Sequence, residues 1–332
     1  MSTPRYSVII PVYNRPEEVD ELLNSLIHQT SHDFEVIIVE DGSSIPCGSV
    51  FEKYQKKIPL TYHFKENTGP GLTRNHGAKF ARGSFLIFFD SDCMIPQGYF
   101  EMLNEYLRTD YVALFGGPDR SHPSFTSIQK AISYAMTSFL TTGGIRGGKR
   151  KVDKFYPRSF NMGVSKDAFM KVNGFSPMRF GEDLDLSMRL LETGYKSALI
   201  SDCWVYHKRR TDFKKFFRQV HNSGIARINL YLLHPGSLKI VHLLPSLFVI
   251  GLFTILVLSI WHLWFLALLV LYILAIFFDS LIKNRSFKVA LLSIPASFIQ
   301  LTGYGTGFIK AFLKRIILKK GEFVAFSRNF YH

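Results

Sequence analysis

Asp90 and Asp92 close an apolar run, Phe85 to Phe89, in the stretch GSFLIFFDSDCMIP. Residues two apart on an extended chain point to the same side, so both carboxylates can converge on one ligand. Asp and Ser are also frequent in turns and at helix N-termini, so taken alone the motif leaves a turn, a cap and a cation site open. At the end of a buried strand the balance moves to a hard divalent ion that also binds phosphate oxygens, Mn²⁺ or Mg²⁺. A second acidic group, Glu182, Asp183 and Asp185, follows the glycine of RFGED and opens a helix with a stripe of Leu186, Leu190 and Leu191. Capping and dipole compensation account for acids in a first turn, but three exceed that need. A carboxylate there can accept the proton of an attacking hydroxyl. Arg74, just past the turn Gly69-Pro70-Gly71, is aimed at a diphosphate or else pairs within its helix. His207, after the strand-like CWVY, is an exposed imidazole or a metal ligand.

Alternating elements must position these groups. YSVIIPV (6–12) and FEVIIVED (34–41) read as buried strands, and PEEVDELLNSLIHQ (16–29) as an amphipathic helix entered through Pro16. A helix near 70–82 precedes the strand SFLIFFD. Such alternation implies a mostly parallel sheet with helices on both faces, an α/β fold whose ligands bind beyond the carboxyl ends of the strands. Three strand ends carry polar groups there: Tyr13-Asn14-Arg15, Glu40-Asp41-Gly42 and Asp90-Ser91-Asp92. No GxGxxG follows the first strand, which argues against a dehydrogenase.

The net charge of +14 suggests nucleic acid until it is divided along the 332 residues. Residues 1–100 hold nine Lys/Arg against twelve Asp/Glu, and 101–205 hold fourteen against eleven. Residues 206–332 hold seventeen against three and carry the excess. Basic residues beside apolar segments fit anionic lipid and positive-inside topology better than phosphodiester backbones. Nucleic acid is therefore not an expected partner. The three cysteines, Cys47, Cys93 and Cys203, are widely spaced, as in a reducing compartment. The N-terminus lacks a signal-peptide layout, which places the leading domain in the cytosol.

Leu243 to Phe278 is 36 residues of nearly unbroken apolar sequence. One helix of that length would measure ~54 Å against a ~30 Å hydrocarbon core, so a transmembrane hairpin over 241–282, turning at IWHLW, is expected. The weaker segment 289–309 lies between two basic stretches that both prefer the cytoplasmic side, which predicts a re-entrant or interfacial element within 283–332. Residues 211–240 mix basic residues with Phe213, Phe216, Phe217, Ile225, Ile228 and Leu230. That pattern suits a helix on a membrane surface or one packed on the preceding domain. The basic, glycine-rich TGGIRGGKRK (142–151) is either a mobile lid or a plain surface loop.

Together VIIPVYNR, IIVEDGSS, ENTGPGLTRNHGAKFARGSFLIFFDSD and FGEDLDLSMRLLETGY resemble the family 2 glycosyltransferases of GT-A fold, over about residues 5–210. The resemblance implies a cytosolic GT-A domain (1–210) ahead of C-terminal membrane helices. It implies transfer of a sugar, with inversion, from a nucleotide-diphosphate donor. Pro11, Tyr13, Arg15 and Asp41 would cradle the nucleotide, with Arg74 near the base or diphosphate. Asp90 and Ser91 would face ribose and sugar, and Asp92, with Asp90 and His207, would hold Mn²⁺ or Mg²⁺. Asp183 would be the general base and Glu182 would orient the acceptor, a lipid-linked or cell-surface glycan. Processive members carry QxxRW before their membrane helices, whereas here RQVHNSGIAR has no Trp. Synthases acting on a polyprenyl phosphate share the layout, and a non-catalytic scaffold that kept the fold is the contrasting possibility.

Overall fold

A computed structural model describes residues 3–143 and 155–323. All but the first two residues of the expected lid therefore lie outside the described residues.

The chain opens β1 (Tyr6–Val12), α1 (Pro16–Ile27), β2 (Phe34–Asp41), α2 (Gly48–Tyr54), β3 (Leu60–Lys65), α3 (Pro70–Ala78) and β4 (Phe85–Phe89). Then follow β5 (Cys93–Met94), α4 (Tyr99–Thr109), β6 (Leu114–Gly116), β7 (Asp119–Arg120), α5 (Ser127–Thr137) and α6 (Phe139–Thr142). After residue 154 come β8 (Asn161–Ser165), α7 (Lys166–Lys171), α8 (Glu182–Glu192), β9 (Ser197–Leu199) and β10 (Val205–His207). The last helices are α9 (Phe213–Leu233), α10 (Leu244–Leu258), α11 (Phe265–Asn284) and α12 (Phe287–Ala311), and a π-helical turn, Phe312–Ile317, ends the series.

Contacts divide the described residues into two units. One comprises residues 3–120 and 155–207 with Phe323, the other 121–143 and 208–322. The first unit gives way to the second after His207, near the boundary expected at 210, and α5 and α6 belong with the C-terminal helices. Their partners are distant in sequence, so no local pattern marks them.

The first unit is an α/β domain around a seven-stranded sheet in the order β3-β2-β1-β4-β8-β6-β9. Strands β3, β2, β1 and β4 run parallel, while β8 is antiparallel to both its neighbours. Strand β2 is buried at all eight positions, as a strand covered on both faces must be. Alternation assigns its faces. Tyr6, Val8, Ile10 and Val12 pack with Leu22, Leu26, Phe100 and Leu103 in one core, whereas Ile9, Leu86 and Phe88 join Phe169, Phe175 and Leu186 in the other. Glu35, buried within β2, accepts from Ser7 Oγ at 2.7 Å and pairs with Arg82 Nε at 2.7 Å. A small sheet, β5-β10-β7, pairs His207 with Cys93.

The second unit is helical. Helix α5 starts from a capping box between Thr126 and Gln129, and its Ala131, Ile132, Ala135 and Met136 pack with Phe216 and Val220 of α9 and Val289 and Ala296 of α12. Helix α9 is therefore a packed helix, with Phe216, Ile225, Ile228 and Leu230 buried. Segment 289–309, expected to be re-entrant or interfacial, forms part of one continuous 25-residue helix, α12. Small residues let it approach its neighbours. A Cβ at Gly303 or Gly307 would strike Val220 or His221 of α9, and one at Gly305 would strike Pro245 of α10. Helices α10 and α11 meet at the IWHLW turn, where Ile260, Trp261, Leu263 and Trp264 are exposed. Among the described residues, α11 alone is long and apolar enough to cross a membrane.

Candidate active site

The carboxyl ends of β1, β2 and β4 bring the polar strand ends together. Asn14, with a positive φ of 52°, makes the turn after β1, and its backbone N–H donates to Ser43 Oγ while its side chain accepts from Ile45 N. This ties the turn to the loop after β2 and places Arg15 at the start of α1. Glu40, wholly buried, anchors the same loop by accepting from Ser43 Oγ, Cys47 N and Tyr62 Oη. Pro11 and Tyr13 are half-buried beside it, and Ser91 is buried.

Asp92 is where residues from the start of α1 and from β10 meet. Its Oδ2 lies 2.6 Å from Arg15 Nη1, and its Oδ1 lies 3.2 Å from His207 Nε2. Burial works against the Arg15 cation, but the Asp92 carboxylate overcompensates and raises its pKa. The His207 ring stacks on Phe160 at 4.7 Å, and its Nδ1 is buried without a hydrogen-bond partner among the described residues. The β5–β10 pairing sets His207 opposite Cys93, next to Asp92, across more than a hundred residues of sequence.

Asp92, Cys93 and His207 offer donor atoms within 4.8 Å of one another. A carboxylate and an imidazole suit Mn²⁺ better than Mg²⁺, which prefers oxygen. The Cys93 thiol is engaged elsewhere, donating to Phe160 O at 3.4 Å, and burial pushes its pKa far up. Asp90 stands apart, its Oδ1 2.6 Å from Arg74 Nη2.

Arg74 and Asp41 sit deeper than the sequence suggests. Arg74 is 2% exposed and spans two elements, with Nη2 on Asp90 and Nη1 3.2 Å from Glu182 Oε1, its guanidinium over the Phe175 ring. It joins the two acidic groups instead of facing an open cleft. Asp41, also 2% exposed, accepts from Thr68 N and Gly69 N at 2.9 Å each and from Lys65 Nζ at 2.5 Å. Those bonds shape the loop that starts α3.

The acids of α8 separate by environment. Gly181, at φ 88°, supplies the left-handed turn that starts the helix. Asp185 takes Ser176 Oγ at 2.7 Å and Arg189 Nε at 2.9 Å, a structural role. Glu182 and Asp183 are both buried. Burial and then the Asp183 charge push the Glu182 carboxyl up to about 7, against the pull of Arg74. Asp183 Oδ2 lies 2.6 Å from Arg158 Nε. Neither Arg158 nor Lys65 is singled out by sequence reasoning, since neither belongs to a local motif.

A family model described as "Glycosyl transferase family 2" matches residues 7–172, which stops short of the α8 acids. An uncharacterized glycosyltransferase of Haemophilus influenzae is 30% identical over 216 residues, covering 61% of this chain and 69% of that protein. The chain spans only 33% and 21% of the length of two Rickettsia relatives. Among solved structures, the mannosyltransferase PcManGT of Pyrobaculum calidifontis, in complex with GDP-Man and Mn²⁺, superposes with a TM-score of 0.62 at 16% identity, covering 91% of this chain and 88% of that one. Residues 1–349 of Staphylococcus aureus TarS, in complex with UDP-GlcNAc, superpose at 0.50 and 20% identity, covering 95% and 92%. Full-length TarS bears the name poly(ribitol-phosphate) beta-N-acetylglucosaminyltransferase.

Proposed function

The chain belongs to glycosyl transferase family 2, and we propose that it moves one sugar, with inversion, from a nucleotide diphosphate to a hydroxyl of a membrane-borne glycan. The observation that carries this reading is the Arg74 bridge, which holds Asp90 of the donor side and Glu182 of the acceptor side on one guanidinium. In a single displacement the acceptor oxygen bonds to the anomeric carbon as the bond to the diphosphate breaks. Asp183 takes the acceptor proton, and Glu182 orients the hydroxyl. Arg15, at the mouth of the site, offsets charge on the departing diphosphate. Asp92 and His207 would hold a divalent ion, Mn²⁺ by the chemistry of the donors, which when bound neutralises that same charge.

A base is needed for a hydroxyl acceptor and has little use with a lipid phosphate, so the buried Asp183 favours the glycan reading over a polyprenyl-phosphate sugar synthase. The TarS name supports a cell-envelope glycan as acceptor class. The exposed apolar hairpin α10–α11 and the basic flanks of α12 support anchoring at the cytoplasmic face of the cell membrane, with the α/β domain in the cytosol and anionic lipids at the basic residues. The deciding experiment is a screen of UDP- and GDP-sugars with Mn²⁺ or Mg²⁺ on the purified chain. Release of nucleotide diphosphate that Asp183→Asn abolishes is the expected result. A chain that releases none from any common donor would count for the scaffold instead.

A further inference from the structure

Two buried carboxylates stand side by side at the start of α8, and the proposed reaction gives them different tasks. Their cationic partners differ accordingly. Glu182 shares Arg74 with Asp90, at 3.2 Å against 2.6 Å. Asp183 has the one hydrogen bond that the Arg158 guanidinium makes among the described residues, Nε at 2.6 Å, supplied from the irregular stretch just before β8. Ser159 N lies 3.4 Å from the same Oδ2, and Leu184 N lies 2.8 Å from Oδ1. The shortest contact on Oδ2, the guanidinium, is therefore the one that sets its direction, and a guanidinium is a planar donor of fixed geometry. The Arg158 side chain is 39% exposed, and among the described residues its guanidinium makes no hydrogen bond other than the one to Asp183. A part-exposed side chain whose one hydrogen bond goes to the reacting carboxylate braces little of the fold beyond that carboxylate.

We infer that Arg158 is a positioning residue for the base: it fixes the orientation of the Asp183 carboxylate toward the acceptor hydroxyl. This rests on the reading of Asp183 as the base. Losing the guanidinium leaves Oδ2 with only the long Ser159 N contact while Oδ1 stays on Leu184 N, so Oδ2 loses its fixed direction and the cost falls on the chemical step. Arg158 makes no hydrogen bond to Arg15, Asp90, Asp92 or His207, so donor binding is spared.

The test uses the full chain in detergent with a nucleotide sugar that the wild type turns over. Arg158→Gln lowers kcat by about 10- to 100-fold at unchanged donor KM, the scale of a misplaced catalytic group. Arg158→Lys keeps the charge without the planar fork and falls between. In Arg158→Ala, guanidinium chloride at tens of millimolar restores part of kcat, whereas it does nothing for Asp183→Asn. Calorimetric binding of UDP and GDP with Mn²⁺ stays at the wild-type level in every variant. An unchanged kcat in Arg158→Gln overturns the inference, as does a loss carried by donor KM. So does an Arg158→Ala that binds nucleotide normally yet gains nothing from guanidinium. A Gln variant that no longer binds nucleotide marks the residue as structural and equally overturns it. A wild type that turns over no donor removes the functional reading itself, and the inference with it.

Discussion

Glu182 and Asp183 show how far side-chain chemistry depends on company. Both are buried acids one residue apart, yet the fold gives them unequal partners. For Glu182 the folded carboxyl titrates at about 7, above the ordinary glutamate value, because burial and Asp183 oppose its charge. The native state then binds more protons than the unfolded chain between the two values, so its stability falls as pH rises from the ordinary glutamate pKa toward 7. Glu182→Gln mimics the protonated form. It should flatten that decline and raise stability at pH 8 by up to about 3 kcal/mol, read from thermal melts across the pH range. Asp183→Asn should cost about 100- to 10,000-fold in kcat while the melting temperature barely moves. His207→Ala should weaken Mn²⁺ by about tenfold or more in calorimetry, and unchanged affinity would remove the imidazole from the ligand set.

Among the elements, the parallel strands were legible because a strand covered on both faces leaves an uninterrupted apolar run. β4 is such a run, β1 and β2 are broken only by Ser7 and Glu35, and each leads into polar residues of the candidate site. Strand β8 was not legible. NMGVS is short, carries a glycine beneath the Phe115 ring, and owes its burial to β4 and β6 on either side. Arg158 escaped notice for a related reason, since its ion pair spans 25 residues and no spacing announces it. Helix α12 reads as too polar and too rich in glycine for a lipid span, and those glycines are what its packing uses. Gly307→Leu would drive a side chain into the His221 backbone of α9 and should destabilise the helical unit by several kcal/mol, on the order of overpacking penalties or above. Gly251→Leu on α10, where a Cβ meets nothing within 4 Å, serves as the matched control and should be silent in the same detergent melts.

Over the chain as a whole, the divided charge was the most informative reading of composition, because the basic excess sits in the segment that carries the apolar helices. The three tryptophans give a direct check on what surrounds that segment. Trp261 and Trp264 are exposed at the α10–α11 turn, while Trp204 lies in the α/β unit under the Arg120 guanidinium. In vesicles with brominated acyl chains, fluorescence from the first two should be quenched and that of Trp204 retained. Equal emission in brominated and ordinary vesicles would count against insertion of the hairpin. The origin of α5 has a practical outcome for anyone expressing the enzyme in pieces. A chain cut at residue 210 keeps Ile128, Ala131, Ile132, Ala135 and Met136 but loses the α9 and α12 surfaces that cover them. The tail is thus no detachable anchor: shortening the gene there would yield a sticky catalytic fragment, and a soluble version would need α5 redesigned along with the truncation.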